Sequence, residues 1–520
     1  MPAPTLAPAA NTAHEPRSKR ALRPSLAVIA VAALWLSGCA IRPTPFTDAE
    51  RAQSAHADRI AMFANQPPLT GPVTLEEAMA RAIRFNLDHR LKMMEEALAQ
   101  KQLDVANFDM LPRLTAAAGY TYRDHPLASE SISLRTHQVS LEPSYSTDQN
   151  DRTADLAFSW NVLDFGVSYF EAKEQADRVL VVEQRRRKVV QLLMQQVREA
   201  YWQAVGAQRL EKQVGPLLAQ ARQALDDSRE SQQEGLRSPL DTLAYQHALL
   251  DIMRQLELVR DQLDEARPRL ASLMNVAPGT DITLAPPKGF AVPQFAMPMD
   301  RMEETALERR PELVEASYNE RISVNETHKA IAKLLPGIEV QLGTHYDSNS
   351  FLAYHAWRAA GINVSWNLLN LLNAKNIRGM AHAQRDVAHA QQLALSMAVL
   401  TQVHVARAEL SAKQRQFDLF RQINDVDAQI LQHMHNATVV NAQGKLEEIR
   451  AAASAMMSEL RLYQSYGELE GAYGQLLATL GLDPLPAGAG KRDLKSIERS
   501  IDKEQTRWAQ LGRADGVKAQ

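Results

Sequence analysis

One cysteine in 520 residues leaves no intramolecular disulfide and no cysteine-based metal cluster. Aromatic residues make up only 6%, thin for a chain of this length packing one large globular core. The net charge of −3 gives no reason to expect a polyanion such as nucleic acid as partner. No HExxH, Walker loop or GxSxG occurs, so no catalytic constellation is expected, and neither is a cofactor or a resident metal. Proline is absent from Asn373 to Asp483, a span free to form very long helix.

What the chain does have begins with an address. A basic run, RSKRALR (17–23), precedes the apolar run SLAVIAVAALWL (25–36). That run is shorter than the roughly 20 residues of a helical membrane span and suits a secretory signal. It ends in LSGCA, which resembles a bacterial lipobox. The resemblance implies cleavage before Cys39, lipid (palmitate included) on its thiol, and sorting to the outer membrane because Ala40 follows rather than aspartate. Residues 1–38 are then a lipoprotein signal peptide, and the start codon can lie further in than Met1. Residues 39–73, proline-rich at both ends, are expected to form an extended lipidated segment.

From Thr74 the pattern turns helical. Thr74-x-x-Glu77 is a capping box, and the helix it opens stops before Leu111-Pro112. The period then changes. Leu114, Ala116, Ala118, Tyr120 and Tyr122 alternate with small or polar residues, as in a strand. Residues 124–152 suggest a polar loop. Leu156, Phe158, Trp160 and Val162 then alternate with Asp155, Ala157, Ser159 and Asn161, predicting a second strand. A helix is expected from about Val167 to Gln232, with Gly215-Pro216 kinking it. The turn EGLRSPLDT (234–242) and a return helix, about 240–275, complete the series.

The same order then recurs. A helix ends at Leu335-Pro336, strands follow at Ile338–Thr344 and Ile362–Leu368, and helix resumes from about Ala374 to Gln443. Gly444 breaks it, and a return helix ends near Leu480-Gly481. SWN stands at 159–161 and again at 365–367 because it holds one place in each copy. The expected domains are two repeats, 74–280 and 299–483, joined by a linker at 281–298 and followed by a charged tail at 484–520. The fold class is mainly α with a small β part.

Each strand has an apolar and a polar face, the pattern of an outer-membrane strand between lipid and water. Trp160 and Trp366 lie at the helix-proximal ends, where an interfacial belt would lie, and Tyr120 and Tyr122 suit the opposite belt. Four strands cannot close a barrel, and an open edge in lipid costs several kcal/mol per unpaired backbone group. Copies must therefore share one barrel, and spacing alone allows two or three.

The lipobox, the doubled helix–strand–strand–helix order, the two Leu-Pro pairs, the two SWN strands and the turn GLRSPLD together resemble the TolC-like outer-membrane factors. The resemblance covers about residues 74–483. It implies a homotrimer whose short barrel lies in outer-membrane lipid and whose helical tunnel hangs into the periplasm. It further implies an exit duct for efflux or secretion, fed by an inner-membrane pump through a periplasmic adaptor. The hairpin turns would then form the closing tip, with Gly235, Arg237 and Asp241 in the first and Gly444, Lys445 and Arg450 in the second. Arg450 and Ala453 stand where the family often has aspartates, so an Asp241–Arg450 or Asp241–Lys445 lock between neighbours is expected instead. The other reading is a non-conducting lipoprotein that uses its coiled coil as scaffold or adaptor. HMH (433–435) is no ready metal pair, since residues two apart do not share a helix face. RRRK (185–188) is expected to be a solvated face, and SMAVLTQV (396–403) a packing seam.

Overall fold

The computed structural model describes residues 43–139, 142–234, 238–285, 289–438, 445–483 and 493–514. The chain falls into two units, residues 1–64 and 65–520. In the first, the expected extended segment holds a helix, α1 (Asp48–Met62). Thr47 and Glu50 form a capping box: the Glu50 amide donates to Thr47 Oγ1 (3.2 Å) and the Thr47 amide to Glu50 Oε2 (2.8 Å). The prolines at 43 and 45 end before that cap, so they do not oppose the helix.

In the second unit, the single helix expected after Thr74 is two: α2 (Leu75–Phe85) and α3 (Leu87–Phe108). Asn86 leaves helical geometry (ψ 131°), and its side chain accepts the amides of Asp88 and His89. A residue that caps a new helix interrupts the old one. The second repeat breaks at the same place, between α6 (Met299–Arg309) and α7 (Pro311–Ala332). There Pro311 disfavours helix at Arg310, whose ψ is 126°.

Strands β1 (Arg113–Tyr122), β4 (Asn150–Asn161), β5 (Gly337–Asp347) and β6 (Ala356–Ser365) form one antiparallel sheet in the order β1-β4-β5-β6. The loop expected at 124–152 holds a small ladder of β2 (Ala128–Ser129) and β3 (Ser144–Tyr145), and its end is already β4. The long helices are α4 (Val162–Gln233) and α8 (Leu369–Thr438), and the return helices are α5 (Pro239–Leu273) and α9 (Lys445–Thr479). With 72 residues, α4 is about 110 Å long. Pro216 lies inside α4 without ending it.

Two apolar clusters fill the body. One packs Val197, Ala204 and Leu210 of α4 with Leu249 and Leu256 of α5; the other packs Val403, Leu410 and Phe417 of α8 with Leu469 and Leu476 of α9. Helix α9 also lies close on α4: a Cβ at Gly206 would stand 2.6 Å from the Tyr463 side chain. The stretch read as a charged tail includes α10 (Leu494–Ala514), which buries Ile497 and Ile501 in the first cluster and Trp508 in the second.

The run 185–188 is solvated only in part: Arg185 and Lys188 are exposed, Arg186 and Arg187 half-buried, and all four are ion-paired. Arg185 pairs with Glu315 (2.8 Å), Arg186 with Glu96 (2.6 Å), Arg187 with Asp483 (2.5 Å) and Lys188 with Glu312 (3.2 Å). Successive helix residues point about 100° apart. Four in a row therefore reach different sides, and here carboxylates of both repeats surround α4. The pattern of charges alone carries no sign of where those partners lie.

Candidate membrane-spanning sheet and helical tip

The register of the sheet sorts its side chains into two faces. Leu114, Phe158, Leu342 and Ala360 form one row, flanked by Ala116–Leu156–Thr344–Arg358 on one side and Trp160–Val340–Ile362 on the other. The opposite face carries Arg113, Ser159, Gln341 and Gly361, with Asn161, Glu339 and Asn363 beside them. The apolar face is open to solvent in the single chain: Leu114 is 68% exposed, Ile362 71% and Val364 67%. Arg358 and Arg152 interrupt it toward the far end, where long side chains can extend their charges past an apolar band.

Among the described residues both outer edges of this sheet are free: β1 pairs only with β4, and β6 only with β5. The Trp160 row and the Tyr120 row are eight residues apart along β4, about 27 Å untilted, close to the height of an outer-membrane apolar band. Trp160 packs edge-on against Phe165 where the strand meets α4. Trp366, just past β6, donates its indole N–H to the Leu334 carbonyl (3.0 Å). At the other end the Tyr120 hydroxyl donates to Asn150 Oδ1 (3.0 Å), and Tyr122 lies opposite Asn150. The sequence reading missed Tyr346, Tyr145 and Phe351 at this end. Tyr145 meets Phe351 edge-on at 5.4 Å across the two loops, a contact no strand period announces.

The helices also leave apolar seams open. On α3, Leu87, Leu91, Met94, Leu98, Val105 and Phe108 are all exposed at spacings of three, four or seven. On α8, Leu419, Ile423, Val426 and Ile430 do the same, Val405 lies two heptads before Leu419, and Val387 and Met397 are exposed further up the helix. Such a repeat marks the seam of a coiled coil. Inside 396–403, Val399 and Val403 are buried as seam packing requires, while Met397 faces out.

Against this geometry the comparisons are decisive for the fold. Residues 88–276 match the outer membrane efflux protein family. The Campylobacter jejuni CmeC outer membrane channel superposes with a TM-score of 0.62 at 13% identity, covering 89% of this chain and 96% of that one. By fold, the chain resembles the TolC-like outer-membrane factors. The outer-membrane channel OprN gives 0.57 at 18% identity over 78% and 89% of the two chains. The open state of the Neisseria gonorrhoeae MtrE outer membrane channel gives 0.56 at 16% over 79% and 89%. No curated protein matches the chain in sequence.

In sequence the two expected turns fall between α4 and α5 and between α8 and α9. Cys39, Gly235, Arg237 and Gly444 lie outside the described residues. Asp241 is exposed in the first turn of α5, where a carboxylate suits the positive helix end. Gln246 donates to Gln232 Oε1 (2.9 Å), joining α5 to α4. Lys445 opens α9, and Arg450 pairs one turn back with Glu447 (2.6 Å). His435 of the HMH stretch lies 2.9 Å from Glu448, joining α8 to α9. No group of three metal-ligating side chains occurs among the described residues.

Nearer the sheet, α4 and α7 meet through buried charge. Arg321 pairs with Asp177, and Lys329 bridges Glu171 (2.6 Å) and Glu174 (2.8 Å). Burial raises the Glu174 carboxyl above its ordinary range, whereas the Lys329 hydrogen bond lowers Glu171. In α3, His89 is fully buried with Nδ1 2.7 Å from the Ile83 carbonyl. Nδ1 therefore carries the proton, and burial holds the imidazole pKa below its ordinary value.

Proposed function

We propose that three copies of this chain close their sheets into one barrel of about twelve strands in the outer membrane. Their helices then continue it as a periplasmic tunnel. The observation that carries this reading is the sheet itself, apolar on one exposed face and unpaired at both edges. In lipid those edges would each leave a ladder of backbone groups unsatisfied, at several kcal/mol apiece. Copies of the same sheet satisfy them with no added element. The exposed seams of α3 and α8 call for the same neighbours. The number three follows from the resemblance to TolC-like factors.

On this reading the assembly is an exit duct. An inner-membrane pump delivers cargo through a periplasmic adaptor, and the duct releases it outside. Lipid on Cys39 adds a second anchor. At the closed tip, Asp241 of one hairpin faces Arg450 or Lys445 of its neighbour, competing with the Arg450–Glu447 pair seen within the chain.

Planar-bilayer recording of the membrane-extracted protein tests the duct. Discrete, steady single-channel conductance is expected. Its absence from a correctly assembled oligomer would leave the scaffold reading standing. The mass of the N-terminal peptide of the same material tests the anchor, and an unlipidated start other than residue 39 would rule it out.

A further inference from the structure

One row of the polar face differs from the others. Ala117, Asp155, His345 and Trp357 lie in register across all four strands. His345 Nδ1 is 2.6 Å from Asp155 Oδ1. The imidazole stacks on the Trp357 indole, with ring centres 5.4 Å apart and 22° between planes. A Cβ at Gly343 would stand 2.7 Å from His345 Nε2, so the bare backbone there makes room for the ring. The carboxylate fixes the imidazole, and the imidazole fixes the indole.

The indole is held but not covered. Trp357 is 43% exposed. His345 occupies one of its faces, and the other turns toward the free edge of β6. A neighbouring β1 would present Thr115, Ala117, Gly119 and Thr121 on this side, all too small to cover an indole, with Arg113 at the helix-proximal end, four residues from Ala117. Asp347 stands two residues beyond His345 on the same face of β5. An open aromatic plane beside fixed carboxylates matches one ligand chemistry. Aromatic faces attract cations through the ring quadrupole, most strongly when the cation is desolvated.

The geometry points to a binding station for planar organic cations on the water-filled side of the sheet, with Trp357 as the stacking surface and Asp155 and Asp347 supplying charge. The station rests on the barrel reading above, which puts this face in the lumen and repeats the row in each copy. Cargo of this chemistry would pause near the outer end of the barrel before leaving it.

Ethidium block of single-channel current in planar bilayers tests the station. In the parent, ethidium is expected to block in a concentration-dependent manner. Trp357→Ala should weaken that block about tenfold, and Trp357→Phe should retain most of it. Naphthalenesulfonate, a planar anion, should act on parent and Trp357→Ala alike. Gly343→Ala displaces His345 while keeping the indole, and should also weaken ethidium block. It decides the matter if Trp357→Ala forms no channels. A conducting parent that ethidium does not block, or equal block in parent and variants, overturns the station while leaving the duct intact. A parent that does not conduct overturns the duct reading, and the station with it.

Discussion

Helices α4 and α8 hold the same place in the two repeats and are nearly equal in length, 72 and 70 residues. Their surroundings differ. Buried residues run along α4 from Ala172 to Leu225, and its own chain packs around it with α3, α5, α7 and α9. Along α8 the buried positions among the described residues are Ala381, Val399, Val403, Ala406, Leu410 and Phe417, and a second apolar seam stays exposed. Duplication thus supplied two similar rods, and packing used them differently. The first became an internal axis. The second leaves one side exposed, so the same periodicity means core in α4 and, on the proposed assembly, interface in α8.

The sharpest way to break this comparison is to place the same charge on each rod. Leu210→Asp puts a carboxylate at a fully buried point of α4. An uncompensated buried charge costs about 3–5 kcal/mol, so little folded protein should accumulate. Val405→Asp, on the exposed seam of α8, should leave the circular dichroism spectrum close to the parent's and abolish the crosslinked oligomer. Normal oligomers from Val405→Asp would show that the α8 seam is not an interface.

A smaller effect separates the repeats by pH. His89 follows the Asn86 break by three residues, and Leu313 follows the Arg310 break by three; both are buried. Only the first repeat has a proton-binding group there. Burial depresses the folded pKa of His89, so the unfolded chain binds the proton more readily. Stability is therefore full above the unfolded value of about 6.5 and falls as pH drops through the window below it. His89→Leu, which copies the second repeat, should flatten the decline in melting temperature between pH 7.5 and 5.5. An unchanged decline would place its origin in other groups.

The smallest expected effect is at the tip. Exposed ion pairs contribute only about 0.2–1 kcal/mol each. Asp241→Ala and Arg450→Ala should each raise single-channel conductance, and the double variant should add little. Additive effects, or none, would assign closure to apolar contacts at Leu240, Leu243, Leu446 and Ile449.

Much of this architecture was legible because its signals are local. Strand alternation gave β1, β4, β5 and β6 their faces, and Leu111-Pro112 and Leu335-Pro336 marked where the period changes. The breaks at Asn86 and Arg310 were harder to see. Apolar spacing continues across both, and only Asn86 as a cap and Pro311 after Arg310 give them away. The β2–β3 ladder sits in a polar stretch without apolar alternation. Helix α10 is rich in charge and hides its few anchors, Ile497, Ile501 and Trp508, among them. The Asp155–His345–Trp357 row depends on register between distant strands, which no single segment encodes. The partners of residues 185–188 lie from 90 to nearly 300 positions away, so a charge run of four looked solvated.

That run has a consequence for length rather than chemistry. Each of its four ion pairs is partly exposed, so exchanging one side chain removes about 1 kcal/mol or less. Inserting or deleting one residue in this part of α4 is another matter. It turns everything beyond the change by about 100° relative to everything before it. All four pairs would lose their partners together, and the buried stripe that continues to Leu225 would rotate out of its groove. The spacing of α4 is thus under tighter constraint than the identity of its charges, and the stretch should drift in composition across generations while its residue count stays fixed.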